Sequence, residues 1–86
     1  MSAYDEAYHN TAPKLKKPDV IKTKAEAVKA FNILEEYRGK RVTNLQEYYR
    51  YTGGTRAGLR ALGKADAHAE AAQAWSNALK KWFEHE

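Results

Sequence analysis

The stretch LQEYYRYTGGTRAGLRALGK, residues 45–64, carries the pattern that decides the fold of this chain. Apolar and aromatic residues fall at helical spacing on both sides of the pair Gly53-Gly54. Glycine commonly ends a helix, and a threonine such as Thr55 can cap the next one by accepting a hydrogen bond from a free backbone N–H. The stretch therefore predicts two short helices, 45–52 and 55–62, joined by a tight turn.

The segment before this stretch predicts a helix over residues 20–38, with two candidate N-caps, Asp19 and, one turn later, Thr23. Thr23 and Glu26 have the spacing of a capping box, in which a hydroxyl and a carboxylate satisfy free backbone amides reciprocally. Gly39 predicts the end of this helix, and a second capping box beginning at Thr43 predicts the start of the next. The predicted buried stripe of the helix contains Ala27, Phe31 and Leu34.

The segment after the stretch predicts the longest helix, over residues 66–84, with Asp66 as its cap. Gly63 predicts a break between this helix and the one before it. Gly58 lies inside the shorter helix and weakens it by roughly 1 kcal/mol relative to alanine, which indicates a close backbone approach or a helix held mainly by tertiary contacts. The apolar face of the long helix is formed by His68, Ala72, Trp75, Leu79, Trp82 and Phe83.

Residues 1–18 predict a flexible basic arm, because they are polar, contain Pro13 and Pro18, and show no sustained apolar periodicity. One turn of helix is the alternative for its first part, since Tyr4 and Tyr8 are four residues apart. Residues 19–86 predict a single helical domain. The whole chain has 86 residues, near the size at which one apolar core is only just sufficient. The predicted fold is all-α, a small bundle of about four helices behind a flexible N-terminal arm.

Positive charge is concentrated in the middle of the chain. Residues 13–41 carry nine Lys or Arg against four acids, and residues 42–64 carry four against one, whereas both ends are acidic. Such a surface suits phosphate or an acidic partner, although a solvated lysine-rich helix face gives the same count. The chain has no cysteine and no apolar run near the roughly 20 residues that span a bilayer, and it begins without a secretory h-region. These features predict a cytoplasmic protein with no membrane partner.

Residues 45–64 also have the outline of a DNA-reading helix-turn-helix, with 45–52 as supporting helix and 55–62 as recognition helix. Arg56, Arg60 and Lys64 follow one another at four-residue spacing, and a guanidinium can contact O6 and N7 of guanine bidentately. Tyr49 is larger than the residue usual at its position, so a plain helix corner remains the alternative. The predicted nucleic-acid-binding residues are Lys14, Lys16, Lys17, Arg50, Tyr51, Thr55, Arg56, Arg60 and Lys64.

Neither catalysis nor a metal or cofactor is predicted. The histidines His9, His68 and His85 lack metal-ligand spacing, and neither serine stands in a nucleophile motif. The chain is therefore expected not to be an enzyme.

Two functional hypotheses follow. The first is a nucleic-acid-binding protein, with DNA as the expected partner, that contacts phosphates through its basic middle. The alternative is a protein-binding adaptor or inhibitor, such as a viral or mobile-element accessory factor, or a subunit of a larger assembly. In that case the interface would be anchored by Arg50, Tyr51, Trp82 and Phe83. A homodimer through the aromatic end of the last helix, at Trp82 and Phe83, is a companion to the first hypothesis, because it would double the surface that contacts nucleic acid.

Overall fold

The computed structural model describes residues 2–51 and 54–85. These residues form three α-helices and no strand, which confirms the all-α class but gives three α-helices where about four were expected. The elements are α1 (Ala3–Thr11), a 3₁₀ turn (Ala12–Lys14), α2 (Lys24–Arg50) and α3 (Arg56–Glu84).

The two long helices form an antiparallel hairpin that accounts for most of the 46 Å length of the molecule. The side chain of Tyr48, near the end of α2, lies beside Gly58, near the start of α3. Further from the turn, the rings of Tyr37 and His68 are 5.8 Å apart. The core between the helices consists of Ala27, Ala30, Leu34, Tyr37, Ala72 and Leu79.

The prediction that Gly39 ends a helix is wrong, because α2 runs through it without interruption. Leu34 and Tyr37 before the glycine are buried, and Leu45 and Tyr48 after it are half-buried, so packing against α3 continues on both sides. Such packing supplies more helix stability than local propensity removes. Thr43 therefore caps no helix. Its hydroxyl instead donates to the carbonyl of Gly39, 3.0 Å away.

The break predicted at Gly63 is also wrong, because α3 is one helix that includes both predicted segments. Gly63 is buried, and a Cβ built there would overlap the backbone oxygen of Tyr4 in α1. The glycine thus allows a close approach of two helices rather than a stop. Asp66 lies within α3, where it accepts a hydrogen bond from Tyr4 instead of capping a helix.

Two predicted helix caps are confirmed, whereas the start predicted at residue 20, after Asp19, is wrong because residues 15–23 are not helical. Thr23 Oγ1 accepts a hydrogen bond from the backbone N–H of Glu26 at 3.1 Å, and α2 begins at the next residue, Lys24. Thr55 Oγ1 accepts from the N–H of Gly58 at 3.2 Å and caps α3. A Cβ on Gly58 would stand 3.2 Å from Tyr51 Cβ, so this glycine also marks a close approach.

The prediction of a flexible arm over residues 1–18 is corrected by α1, the 3₁₀ turn and their packing on α3. Ser2 caps α1, and its small residues Ala3 and Ala7 are buried against α3. Two alanines four residues apart suffice for this contact because the opposing surface contains Gly63. The arm is therefore part of the same domain as the hairpin.

Residues 15–23, called the strap below, run without helix from the 3₁₀ turn to α2. The backbone N–H of Lys16 donates to the hydroxyl of Tyr37 in α2, at 2.8 Å. The indole N–H of Trp75 in α3 donates to the carbonyl of the same lysine, at 2.9 Å. One peptide segment thus ties the strap to both long helices.

The helix-turn-helix predicted for residues 45–64 is not confirmed. In that motif two short helices cross at roughly 90–120°, whereas here the predicted units are the last turns of α2 and the first turns of α3, which lie antiparallel. Gly54 has a φ of 84° and provides the left-handed conformation of the turn. Thr52 and Gly53, which were assigned to the helix end and the turn, lie outside the described residues. Within the described part of the chain, no helix is both long and apolar enough to cross a bilayer.

Candidate nucleic-acid interface

The half of the hairpin nearest the turn is strongly basic. Residues 38–64, called the basic half below, carry seven Lys or Arg and one acid, Glu47, so their formal charge is +6. The whole chain carries +4, and the remaining residues are therefore net acidic. Acids from outside this segment offset part of its charge, since Glu6 of α1 pairs with Arg56 and Arg60. Asp66 of α3 is a further acid beside the segment, two residues before His68, which packs on Tyr37.

Three cations of the basic half were missed as site residues: Arg38, Lys40 and Arg41. The helix end predicted at Gly39 would put them at a helix C-terminus. Because α2 continues, they lie in mid-helix instead, and all three are exposed. Their clustering in the sequence YRGKRV was the signal available.

Arg38 and Arg41 border a shallow depression of about 290 Å³ between α2 and α3. Small or polar residues of α3, including Ala72, Gln73 and Ser76, form its other side. Arg38 also pairs with Glu35 at 3.3 Å, an exposed contact that contributes little to stability. Both guanidinium groups are thus available to an anion from solvent.

At the turn, Arg50 and Tyr51 are exposed and lie side by side at the end of α2. They border a depression of about 190 Å³ together with Thr43, Gln46 and Glu47. Thr55, the third site residue predicted here, uses its hydroxyl oxygen to accept the capping hydrogen bond of α3. The end of α2 therefore presents the cation of Arg50 and the aromatic ring of Tyr51 to solvent, beside Tyr49, which is also exposed.

Arg56 and Arg60, the predicted base-reading pair, share a single carboxylate from α1. Arg56 Nη2 lies 3.2 Å from Glu6 Oε2, and Arg60 Nη1 lies 3.3 Å from Glu6 Oε1. No local pattern indicates this contact, because Glu6 lies 50 residues from Arg56 and 54 residues from Arg60. Lys64, one helical turn further along, is exposed. The row of three cations is therefore partly neutralised by α1.

Two tyrosines of α1 fix it further along α3. Tyr4 donates its hydroxyl proton to Asp66 at 2.5 Å, and Tyr8 donates to Glu70. The hydrogen bond to Asp66, followed by partial burial and the nearby negative charge, raises the pKa of Tyr4 to about 12. The hydrogen bond to Glu70 raises the pKa of Tyr8. Both phenols thus hold α1 in place while they remain protonated.

Loss of these protons is expected to weaken the docking of α1 at high pH. A phenol whose pKa is raised from 10.0 to about 12 on folding stabilises the fold fully below pH 10, and this stabilisation disappears as the pH rises through about 12. Urea unfolding of the wild type and of Tyr4→Phe, measured across this range, would show a constant difference below pH 10 that declines above it. Ultraviolet difference titration of the two proteins would show whether Tyr4 ionises late. Ionisation of Tyr4 near pH 10, the ordinary value of a phenol, would contradict the assignment.

The lysines predicted in the arm lie apart from the arginines. Lys14, Lys16 and Lys17 are exposed, and the last two border a groove of about 540 Å³ that also contacts Tyr8 and Glu70. This groove follows residues 67–74 of α3, whereas Arg56 and Arg60 belong to its first turns. At 1.5 Å per residue, the two sets are roughly 10–20 Å apart along the helix. The structure therefore does not unite the nine predicted residues in one site.

The open end of the hairpin carries an apolar surface, called the open-end patch below and formed by Val28, Phe31, Trp82 and Phe83. Phe31 was predicted to be buried but is 53% exposed, and Phe83 is 65% exposed. Phe31 lies beside the buried stripe rather than on it, and no described element covers it. Trp82 is partly buried against the core. The two predicted interface residues, Trp82 and Phe83, therefore border the same surface as Val28 and Phe31, which were not predicted to belong to an interface.

The histidine that was predicted on the apolar face of the last helix has structural contacts. His68 Nδ1 lies 2.8 Å from the carbonyl oxygen of Lys64, and its ring packs edge-on against Tyr37. Among residues 2–51 and 54–85, no three His, Asp or Glu side chains are placed to hold a metal ion.

Comparison with known proteins returned no match to this chain among family models, curated proteins or solved structures. The proposals below therefore rest on the residues of this chain and on their geometry.

Proposed function

We propose that this chain is a non-enzymatic nucleic-acid-binding protein that holds the phosphate backbone of DNA with its basic half. The supporting observation is the formal charge of +6 in residues 38–64, set against a net acidic remainder. Lysine and arginine that neutralise phosphates release condensed counterions, and this release drives binding irrespective of sequence.

The geometry favours contacts to phosphates over contacts to base edges. Reading bases requires a helix that can enter the major groove. The first turns of α3 lie alongside α2 and are bridged by α1 through Glu6, so they do not project from the fold. The exposed cations of α2, by contrast, are open to a passing phosphate backbone. The contacting residues of this proposal are Arg38, Lys40, Arg41, Arg50 and Lys64.

Helix α1 acts as a competitor in this proposal. Its Glu6 carboxylate occupies the two guanidinium groups that a phosphate would otherwise bind. The ion pairs are partly exposed, so each contributes little to stability and can be exchanged for a phosphate oxygen. Arg56 and Arg60 then contact DNA only if a phosphate group displaces the Glu6 carboxylate from them.

The proposal predicts that removing charge from the basic half weakens DNA binding more than removing the same charge elsewhere. The test variant is Arg38→Ala/Lys40→Ala/Arg41→Ala. The matched control is Lys29→Ala/Lys80→Ala/Lys81→Ala, which removes three positive charges from outside the basic half. Fluorescence anisotropy with a labelled duplex, at about 50 and 200 mM salt, should show at least a tenfold loss for the first variant and a shallower salt dependence, because fewer counterions are released.

The control variant should stay within about threefold of the wild type, since it keeps every proposed phosphate contact. Equal losses in both variants would mean that only net charge matters, and the basic half would then not be a binding surface. Undetectable binding of the wild type at low salt would refute the function itself. Far-ultraviolet circular dichroism confirms that each variant keeps its helices.

A protein-binding adaptor is the second candidate function, and the open-end patch is the observation that favours it. Phenylalanines that are more than half exposed on two adjacent helices are typical of interaction surfaces. Binding anchored by aromatic side chains depends weakly on salt, whereas binding to phosphate falls steeply as salt rises. The two functions involve opposite ends of the hairpin.

A further inference from the structure

The open-end patch lies within a regular stripe on one face of α2. Lys24, Val28, Phe31 and Glu35 follow at spacings of four, three and four residues, which places them in a row along the helix. Val28 and Phe31 are each 53% exposed, and Lys24 and Glu35 at the two ends are exposed as well. The row therefore has two apolar residues at its centre, a cation at one end and an anion at the other.

We infer that a second copy of this chain covers the open-end patch, with the two α2 helices antiparallel about a two-fold axis. An isologous interface uses the same surface on both copies, so that surface must complement itself. With the axis at the level of the peptide between Lys29 and Ala30, Val28 faces Phe31 of the second copy. The same axis places Lys24 opposite Glu35 of the second copy, twice by symmetry.

The opposite charges of Lys24 and Glu35, at the two ends of the row, favour a second copy over an unrelated partner. A parallel arrangement would place like charges together, whereas the antiparallel one pairs both cations with both anions. Glu35 already lies 3.3 Å from Arg38 in its own chain, so Lys24 of the second copy would join an exposed carboxylate that is held in position. Phe83 borders the same groove, of about 260 Å³, and adds apolar surface from α3.

The size of the patch sets the strength of the dimer. Two phenylalanines and one valine, each more than half exposed, offer on the order of 300 Å² of apolar surface per copy. A stable interface buries about 800 Å² per partner, so this dimer belongs to the weak class, with a Kd in the micromolar range or above. This inference names a partner for the protein-binding candidate and does not depend on nucleic-acid binding.

Sedimentation velocity of the full chain without DNA, from about 5 to 500 µM, tests the inference. The wild type should shift from monomer to dimer with rising concentration. Lys24→Glu and Glu35→Lys should each weaken the dimer by about tenfold or more, because symmetry creates two repulsive pairs from one substitution. An equimolar mixture of the two variants should recover the dimer, since each chain then supplies the charges that the other needs.

An apolar pair of variants tests the centre of the interface. Phe31→Asp should abolish the dimer, whereas Val42→Asp, at a residue 50% exposed on the same helix, should leave it unchanged. A wild type that stays monomeric at the highest concentration, a mixture that does not recover, or equal effects of the two aspartates would each overturn the inference. Because sedimentation is measured without DNA, and Lys24, Phe31 and Glu35 lie outside the basic half, these failures would leave nucleic-acid binding standing.

Discussion

Replacing Gly63 by alanine is expected to detach α1 from α3. The added Cβ would overlap the backbone oxygen of Tyr4 and stand 3.2 Å from the backbone nitrogen of Tyr8. A backbone cannot turn aside as a flexible side chain can, so α1 must move. Overpacking of this kind costs about 1–3 kcal/mol, and the higher helix propensity of alanine offsets only about 1 kcal/mol of it. The hairpin, which has no clash, should remain folded.

Amide hydrogen exchange measures this outcome directly. In Gly63→Ala the amides of α1 should exchange rapidly while those of the α2–α3 core stay protected. Gly39→Ala is the matched control, because no described atom outside its own helix lies within 4 Å of a Cβ built there. That variant should raise the free energy of unfolding by up to about 1 kcal/mol. Protected α1 amides in Gly63→Ala would contradict the close approach.

The same variant links the fold to the proposed function. Detachment of α1 removes Glu6 from Arg56 and Arg60 and leaves both guanidinium groups to solvent. If the basic half binds DNA, Gly63→Ala should therefore bind more tightly than the wild type and lose affinity more steeply as salt rises.

Replacing Leu34 by alanine is expected to lower the free energy of unfolding by about 2–5 kcal/mol. Leu34 is 5% exposed, and three of the six residues of its core cluster are alanines, so much of the aliphatic volume belongs to Leu34 and Leu79. The total stability of small domains is only about 5–15 kcal/mol, and this loss is a large part of it.

Urea unfolding followed by tryptophan fluorescence would measure the loss. Val42→Ala is the control, because Val42 is half exposed on the same helix and its truncation should cost less than about 0.5 kcal/mol. Similar losses in the two variants would show that Leu34 does not occupy the centre of the core.

Local features of the fold could be predicted from the sequence. The caps at Thr23 and Thr55 depend on residues three positions away, and helical periodicity depends on single elements. The glycines could not be interpreted in the same way. Gly39 does not end α2, because packing continues on both sides of it. Gly63 allows α1 to approach α3 closely, and its contact there, Tyr4, lies about 60 residues away in the sequence.

In the candidate site too, local features could be predicted and contacts between distant segments could not. Arg50 and Lys64 were predicted as site residues from the charge pattern of their own segments, and both are exposed. The carboxylate that bridges Arg56 and Arg60 could not be predicted, because Glu6 lies 50 and 54 residues away from them in the sequence and meets them only through the docking of α1 on α3. Nor does periodicity tell which neighbour covers a face, and Phe31 was therefore placed in the core although it is half exposed.

The docking of α1 also determines the order in which the chain acquires its shape during synthesis. Tyr4 emerges from the ribosome 62 residues before Asp66, its hydrogen-bond partner. At about 5–20 residues per second this is a delay of roughly 3–12 s. A nine-residue helix is marginal by itself in water. Helix α1 is thus translated before α3 but becomes ordered only after α3 has emerged, and until then the arginines that it bridges are exposed on the nascent chain.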